Sequence, residues 1–379
     1  MNDTWRKWFP VSSRITYLNH AGVAPLSTRA AAAMEAAVRE CAEWGAFRYG
    51  RLLEGIRRAR QAAAALLGTH PDHVAFVKNT SEGVSFVAEG FPWNPGDAVV
   101  VPEGEFPSNV YPWMNLARRG VRVIRVPERG GRLDLDDYRR ALAQAGVRML
   151  AVSAVEYGTG FRNDLEALGE MCRERGVFLF VDAIQALGCL PLTPERLGIH
   201  ALAADGHKWL CGPEGIGILY LSSEALERLH PVEVGWNSVR DPMAFDRIRF
   251  ELRPDAARFE AGSPSTVAIH GLGEAARLLL EVGIDRVWAR VQELWGELAE
   301  GLRERSYSIA SPLAPRERSG ILTFVPRRTA PADLAAGLHA EGVFVAARGP
   351  GVRVSPHFYN TAEDLERFFA ALERLDREG

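Results

Sequence analysis

From about residue 74 the chain alternates short, β-branched apolar runs with longer amphipathic segments, which is the pattern of a parallel sheet with crossover helices. The runs predict strands at 74–77, 98–101, 121–126, 149–155, 177–181, 201–204 and 216–221, with helical periodicity such as 165–174 between them. Upstream, 28–44 and 52–67 place alanine and leucine on one helical face and arginine and glutamate on the other. Beyond the polar stretch 241–258 the order changes to a long helical region ending near 305, a strand at 321–325, a helix from Pro331, two short strands and a last helix. Thr361 and Asp364 have the spacing of a cap opening that helix. The expected architecture is α/β: a large, mostly parallel-sheet domain over 15–261 and a smaller α/β domain over 262–379, with 1–14 packing near the latter.

Composition narrows the function classes. The 379 residues are 47% hydrophobic, enough for two cores, and 45 basic against 48 acidic residues leave a net charge of −3, no footprint for nucleic acid or an anionic membrane. No apolar stretch reaches the roughly 20 residues of a membrane span, and residues 1–10 carry Trp5, Arg6, Lys7 and Trp8 rather than a signal core, so a cytoplasmic protein acting on a small molecule is expected. Cys41, Cys172, Cys189 and Cys211 are widely spaced, which fits neither a disulfide framework nor a metal site. Only Lys7, Lys78 and Lys208 are lysines; the other basic residues are arginines. A lysine retained in such a chain suits an amine that must deprotonate, which a guanidinium does not do.

Ligands of open parallel sheets sit at the carboxyl ends of the strands. There the sequence places Asn79-Thr80-Ser81, Glu156-Tyr157, Asp182-Ala183-Ile184-Gln185 and Asp205-Gly206-His207-Lys208. Thr80 and Ser81 open a helix, where free N–H groups and hydroxyls suit a phosphate, although an ordinary N-cap has the same composition. Asp182 ends an apolar run and needs a cationic partner such as a protonated ring nitrogen. Lys208, flanked by apolar residues, is suited to imine formation with an aldehyde. A phosphate cradle, an acid and a lysine on one sheet are what pyridoxal 5′-phosphate (PLP) chemistry requires.

The segments Tyr17–Gly22, Thr80-Ser81-Glu82-Gly83, Val181–Ala186, Gly206-His207-Lys208-Trp209 and Arg258–Pro264 resemble the class V aminotransferases, fold-type I PLP enzymes that include cysteine desulfurases, kynureninases and isopenicillin N epimerase-like proteins. The resemblance implies that Lys208 carries the cofactor as a Schiff base, Asp182 pairs with its ring nitrogen, Gln185 bonds its ring hydroxyl, and Thr80, Ser81 and His207 hold its phosphate. It implies that Phe106 stacks on the ring, that Arg353 binds a substrate carboxylate with Arg348 as a second candidate, and that Asn19 and His20 face the substrate. Gly262 and Ser263 lie in a loop that in the family reaches the neighbouring subunit's phosphate, which implies a homodimer with shared sites.

No cysteine follows Cys211, and the loop before Arg353 is cut to residues 347–351. Tyr157 stands where desulfurase-like members carry asparagine, and Asp205, where a serine often holds phosphate, is expected to turn aside. Cys211 reads as a packing thiol. On these grounds the sequence points to transamination of a small amino acid or amine, with epimerisation or carbon-bond lysis as the alternative, and away from cysteine desulfuration. A cofactor-binding relative without turnover, or a nucleotide-binding protein, are the readings of other classes; the latter lacks both G-x-G-x-x-G and G-x-x-x-x-G-K-[ST].

Overall fold

A computed structural model describes residues 2–349 and 351–378, which leaves Pro350 of the shortened loop outside the described residues. Two helices, α1 (Thr28–Trp44) and α2 (Tyr49–Leu67), precede a seven-stranded sheet. Its strands are β1 (Val74–Val77), β2 (Ala98–Pro102), β3 (Arg122–Val126), β4 (Val147–Ser153), β5 (Phe178–Asp182), β6 (Ala201–Asp205) and β7 (Gly217–Leu221). They lie in the order β3-β2-β4-β5-β6-β7-β1. Both faces of the central strands are covered, which is why the sequence shows continuous apolar runs rather than alternation.

Strand β7 runs antiparallel to both neighbours, β1 and β6. No helix separates it from β6, and only a helical crossover would return it parallel. Helix α3 (Thr80–Gly90) follows β1 directly, with Asn79 as its N-cap: Asn79 Oδ1 accepts the Glu82 N–H at 2.9 Å. Gly83 lets this helix lie close on the sheet, since a Cβ there would stand 2.7 Å from the Ala203 Cβ of β6.

The long helical region after residue 262 is two helices, α4 (Thr266–Val282) and α5 (Ile284–Glu304), parted at Gly283, whose φ of +88° breaks the run. Ile269, Leu272, Ala276 and Leu279 of α4 join the first core with α2, whereas Leu294, Leu298 and Leu302 of α5 belong to a separate core. By packing, the second body therefore begins within α5. It carries an antiparallel sheet of β8 (Ser308–Ile309), β9 (Leu322–Val325), β10 (Ala346–Arg348) and β11 (Gly351–Val354), in the order β8-β9-β11-β10. Helices α6 (Pro331–Ala340) and α7 (Ala362–Glu378) cover it. Thr361 and Asp364 form the expected cap reciprocally, and Arg6 clamps the buried Asp364 carboxylate at 2.7 and 2.9 Å.

The segment Thr16–Gly22 runs between the bodies. Thr16 and Tyr17 pair in parallel with Val343 and Phe344, and Asn19 bridges to Ser355. No helix among the described residues is long and apolar enough to cross a membrane.

Candidate active site

The carboxyl ends of β1, β2, β4, β5 and β6 converge on Lys208. Its amine is 5.7 Å from the centre of the Phe106 ring, which in turn meets Tyr157 edge-on at 5.2 Å. Burial and, after it, the nearby Arg353 guanidinium lower the amine to a pKa of about 8 against the opposing pull of Asp182 and Asp205. Such a lysine is part deprotonated near neutrality and can act as a nucleophile.

Asp182 closes β5 and is buried. Burial raises its carboxyl to about 6, opposed by the Ile184 N–H at 3.0 Å and by Lys208. Gln185, also buried, takes the Trp209 indole N–H on Oε1 and donates from Nε2 to the Ala21 carbonyl, both at 3.0 Å. Because an indole nitrogen only donates, the amide's orientation is fixed and one Nε2–H remains for a ligand.

At the start of α3, the Thr80 hydroxyl is buried without a partner, beside the N–H groups that any helix leaves free in its first turn. Ser81 Oγ donates to Ser108 Oγ at 2.7 Å. Asp205 turns to its own loop: Oδ1 accepts the Gly206 N–H at 2.9 Å and lies 3.1 Å from His207 Nδ1. His207 Nδ1 makes no hydrogen bond at that approach and is buried without a partner. An orphaned hydroxyl at a helix start, a buried acid lacking a full counter-charge and a low-pKa amine fit PLP as phosphate seat, ring-nitrogen partner and imine-forming lysine.

Arg353, on β11, is 2% exposed. Nη1 donates to the Tyr157 carbonyl at 2.9 Å, Nη2 has only a 3.5 Å approach to Asn19 Oδ1, and Nε is buried without a partner. Among the described residues no carboxylate pairs with it. A buried guanidinium in that condition is a receptor for an anion. Arg348 shares its face of the sheet, since Ala346 is opposite Arg353 and Arg348 lies two residues on.

One expected contact is placed differently. His20 is fully buried with Nδ1 at 2.9 Å from the Ser355 carbonyl and Nε2 at 2.7 Å from the Tyr359 hydroxyl, so it presents no free nitrogen to a substrate. Burial and His357 hold it well below the ordinary histidine value. Gly262 and Ser263 line a cavity of about 370 Å³ with Lys78 and Glu82, whose lining does not include Lys208.

Glu156, which the sequence placed at a strand end without a role, and Glu105, which it passed over, lie close by. Glu105 and Glu156 are buried carboxyls; Ser153 gives Glu105 Oε1 its N–H at 2.6 Å, and Asn163 gives Glu156 Oε1 an N–H at 3.0 Å. Their only signal was position, at the ends of predicted strands.

Fold and site together define a fold-type I PLP enzyme. A profile of the family described as Aminotransferase class-V matches residues 17–368, and the chain belongs to that family. A probable cysteine desulfurase of Pyrococcus abyssi is 30% identical over 334 residues, 84% of this chain and 82% of its own. The apo structure of cysteine desulfurase from Thermococcus onnurineus aligns with a TM-score of 0.90 at 25% identity, covering 100% of this chain and 98% of the other. A C-DES mutant with glycine covalently linked to its PLP cofactor shares the fold, with a TM-score of 0.91 at 23% identity over 97% and 98% of the two chains. These relatives overturn the expectation that points away from desulfuration and towards transamination.

Proposed function

We propose that this enzyme breaks the carbon–sulfur bond of cysteine or a close analogue, with PLP held on Lys208. The observation that carries the reading is Arg353, a buried guanidinium without an acid partner whose charge also acts on Lys208, as an anchor for the α-carboxylate requires. When bound, PLP supplies an electron-withdrawing ring that stabilises negative charge developing on the substrate's carbon skeleton. Asp182 would hold the charge of the ring nitrogen, Phe106 would stack on the ring, and the Lys208 amine, when free, would carry a proton to and from the substrate carbons.

The sulfur acceptor is then a soluble thiol. Cys172, Cys189 and Cys211 are buried, burial pushes their thiols upward, and Cys41 is exposed on α1. The thiolate attacks the substrate sulfur, the C–S electron pair passes to carbon, and a proton completes alanine, leaving the acceptor as a persulfide. The same reading includes a homodimer, to which the loop at Gly262 and Ser263 contributes, and a cytoplasmic setting, in keeping with four free thiols.

The test is holoenzyme with L-cysteine and excess dithiothreitol, assayed for alanine and sulfide. Alanine and sulfide should appear in equal amounts, persist in Cys211→Ser and vanish in Lys208→Ala. Arg353→Ala should lower kcat/KM by about a hundredfold, the loss of a charge-assisted bidentate contact. Absence of any sulfur release with cofactor bound would refute the reading, as would a persulfide on Cys211 that turnover depends on.

A further inference from the structure

Beneath the site lies a group of acids without cations. Glu105 is 6% and Glu156 2% exposed, and among the described residues neither makes an ion pair. Burial drives both well above the ordinary carboxyl range, and Asp182 adds to the push on each. Glu156 Oε2 is buried without a hydrogen-bond acceptor or donor beside it. Three carboxylates cannot all be ionised in one dry pocket. Asp182 has the claim to the charge: it takes a backbone N–H, faces Lys208 and stands where a charged ring nitrogen would be matched.

The geometry around Glu105 shows what a neutral acid does there. Both its oxygens face one residue, Ser153: Oε1 accepts the N–H at 2.6 Å and Oε2 lies 2.5 Å from Oγ. Ser153 is the last residue of β4, in register with Asp182, the last of β5. Its carbonyl accepts from Asn163 at 2.9 Å, the same amide that reaches Glu156. On the other side, Glu105 is joined covalently to Phe106, whose ring faces Lys208. One side chain thus ties the loop bearing the ring-covering phenyl to the strand end beside the ring-nitrogen acid.

We propose that Glu105 is a positioning residue that works as a neutral carboxylic acid, its O–H donating to Ser153 Oγ while its other oxygen accepts the Ser153 N–H. This clip holds the loop that carries Phe106 to the strand end that carries Asp182. It leaves the negative charge of the pocket to Asp182.

Glutamine has the shape and hydrogen-bonding pattern of a protonated glutamate, so it discriminates. In purified holoenzyme, Glu105→Gln should keep cofactor affinity and the visible absorbance band of the bound cofactor. Glu105→Ala, which leaves Ser153 without its partner, should weaken cofactor affinity about tenfold, as expected for one lost buried hydrogen bond, and shift the band. Difference infrared spectra of wild type against Glu105→Gln should lose a protonated-carboxyl band. Should Glu105→Ala fail to fold, Ser153→Ala replaces it, with the same weakening expected. The proposal falls if Glu105→Gln behaves like the alanine variant, if the truncation leaves affinity and band unchanged, or if the infrared band is absent. None of these readouts involves substrate, so they stand apart from the sulfur chemistry.

Discussion

Lys208 is governed by two opposing influences, and its pH behaviour follows from their balance. Burial and Arg353 favour the neutral amine, bringing its pKa down to about 8. Below that pH the amine is protonated and inert; above it the lone pair is free. The rate at which added PLP forms its visible band with apoenzyme should therefore climb through pH 8 and level off. An inflection at the ordinary lysine value would refute this. Linkage gives the companion sign: between about 8 and the ordinary lysine value the unfolded chain binds the proton that the folded one has lost, so apoprotein stability rises with pH there. Asp182 could be found in the sequence because it ends an apolar run, and Gln185 and Lys208 because each lies three residues past the end of such a strand. Glu105 could not, since a glutamate next to a glycine in a loop reads as solvated and only the folded pocket shows it to be dry. His20 failed for a similar reason: its ring partners, Ser355 and Tyr359, lie more than 300 residues away.

At the scale of elements, α3 depends on Gly83 to bring its N-terminus against the strand that leads to Lys208. A methyl at Gly83 would stand 2.7 Å from the Ala203 Cβ, closer than carbon atoms approach. Gly83→Ala should displace the helix start that carries Thr80, at a cost of about 1–3 kcal/mol in overpacking. Equilibrium dialysis should show PLP binding weakened by about tenfold or more. Unchanged affinity would mean that Thr80 and the helix start do not hold the phosphate. The strands were largely readable because each is buried on both faces and so forms a continuous apolar run. What the runs did not disclose was direction: Gly217–Leu221 has the composition of its parallel neighbours, and only the missing crossover helix turns it round. The break at Gly283 was hidden likewise, since apolar periodicity continues across it from Leu279 to Val287.

For the whole molecule, the strip 232–250 stands out. Met243 is 71%, Ile248 90% and Phe250 74% exposed, an apolar surface of the kind that monomers seldom leave in water. The proposed homodimer would bury these side chains and bring the loop at Gly262 and Ser263 beside the partner. Sedimentation should give twice the 41.7 kDa chain mass, and Ile248→Asp with Phe250→Asp should shift it to monomer with loss of bound cofactor. A wild-type monomer that retains PLP would refute shared sites.

The thread from Thr16 to Gly22 has a consequence for how the protein comes into being. Its strand partners are Val343 and Phe344, and its bridge is to Ser355, beside the arginine anchor at 353. During synthesis this thread emerges early and waits for more than 300 residues before the chain that clasps it exists. The cofactor's sheet can form while the ribosome is still at work. The clasp on this thread cannot, so the anchor proposed at Arg353 is absent from a nascent chain until β11 is made.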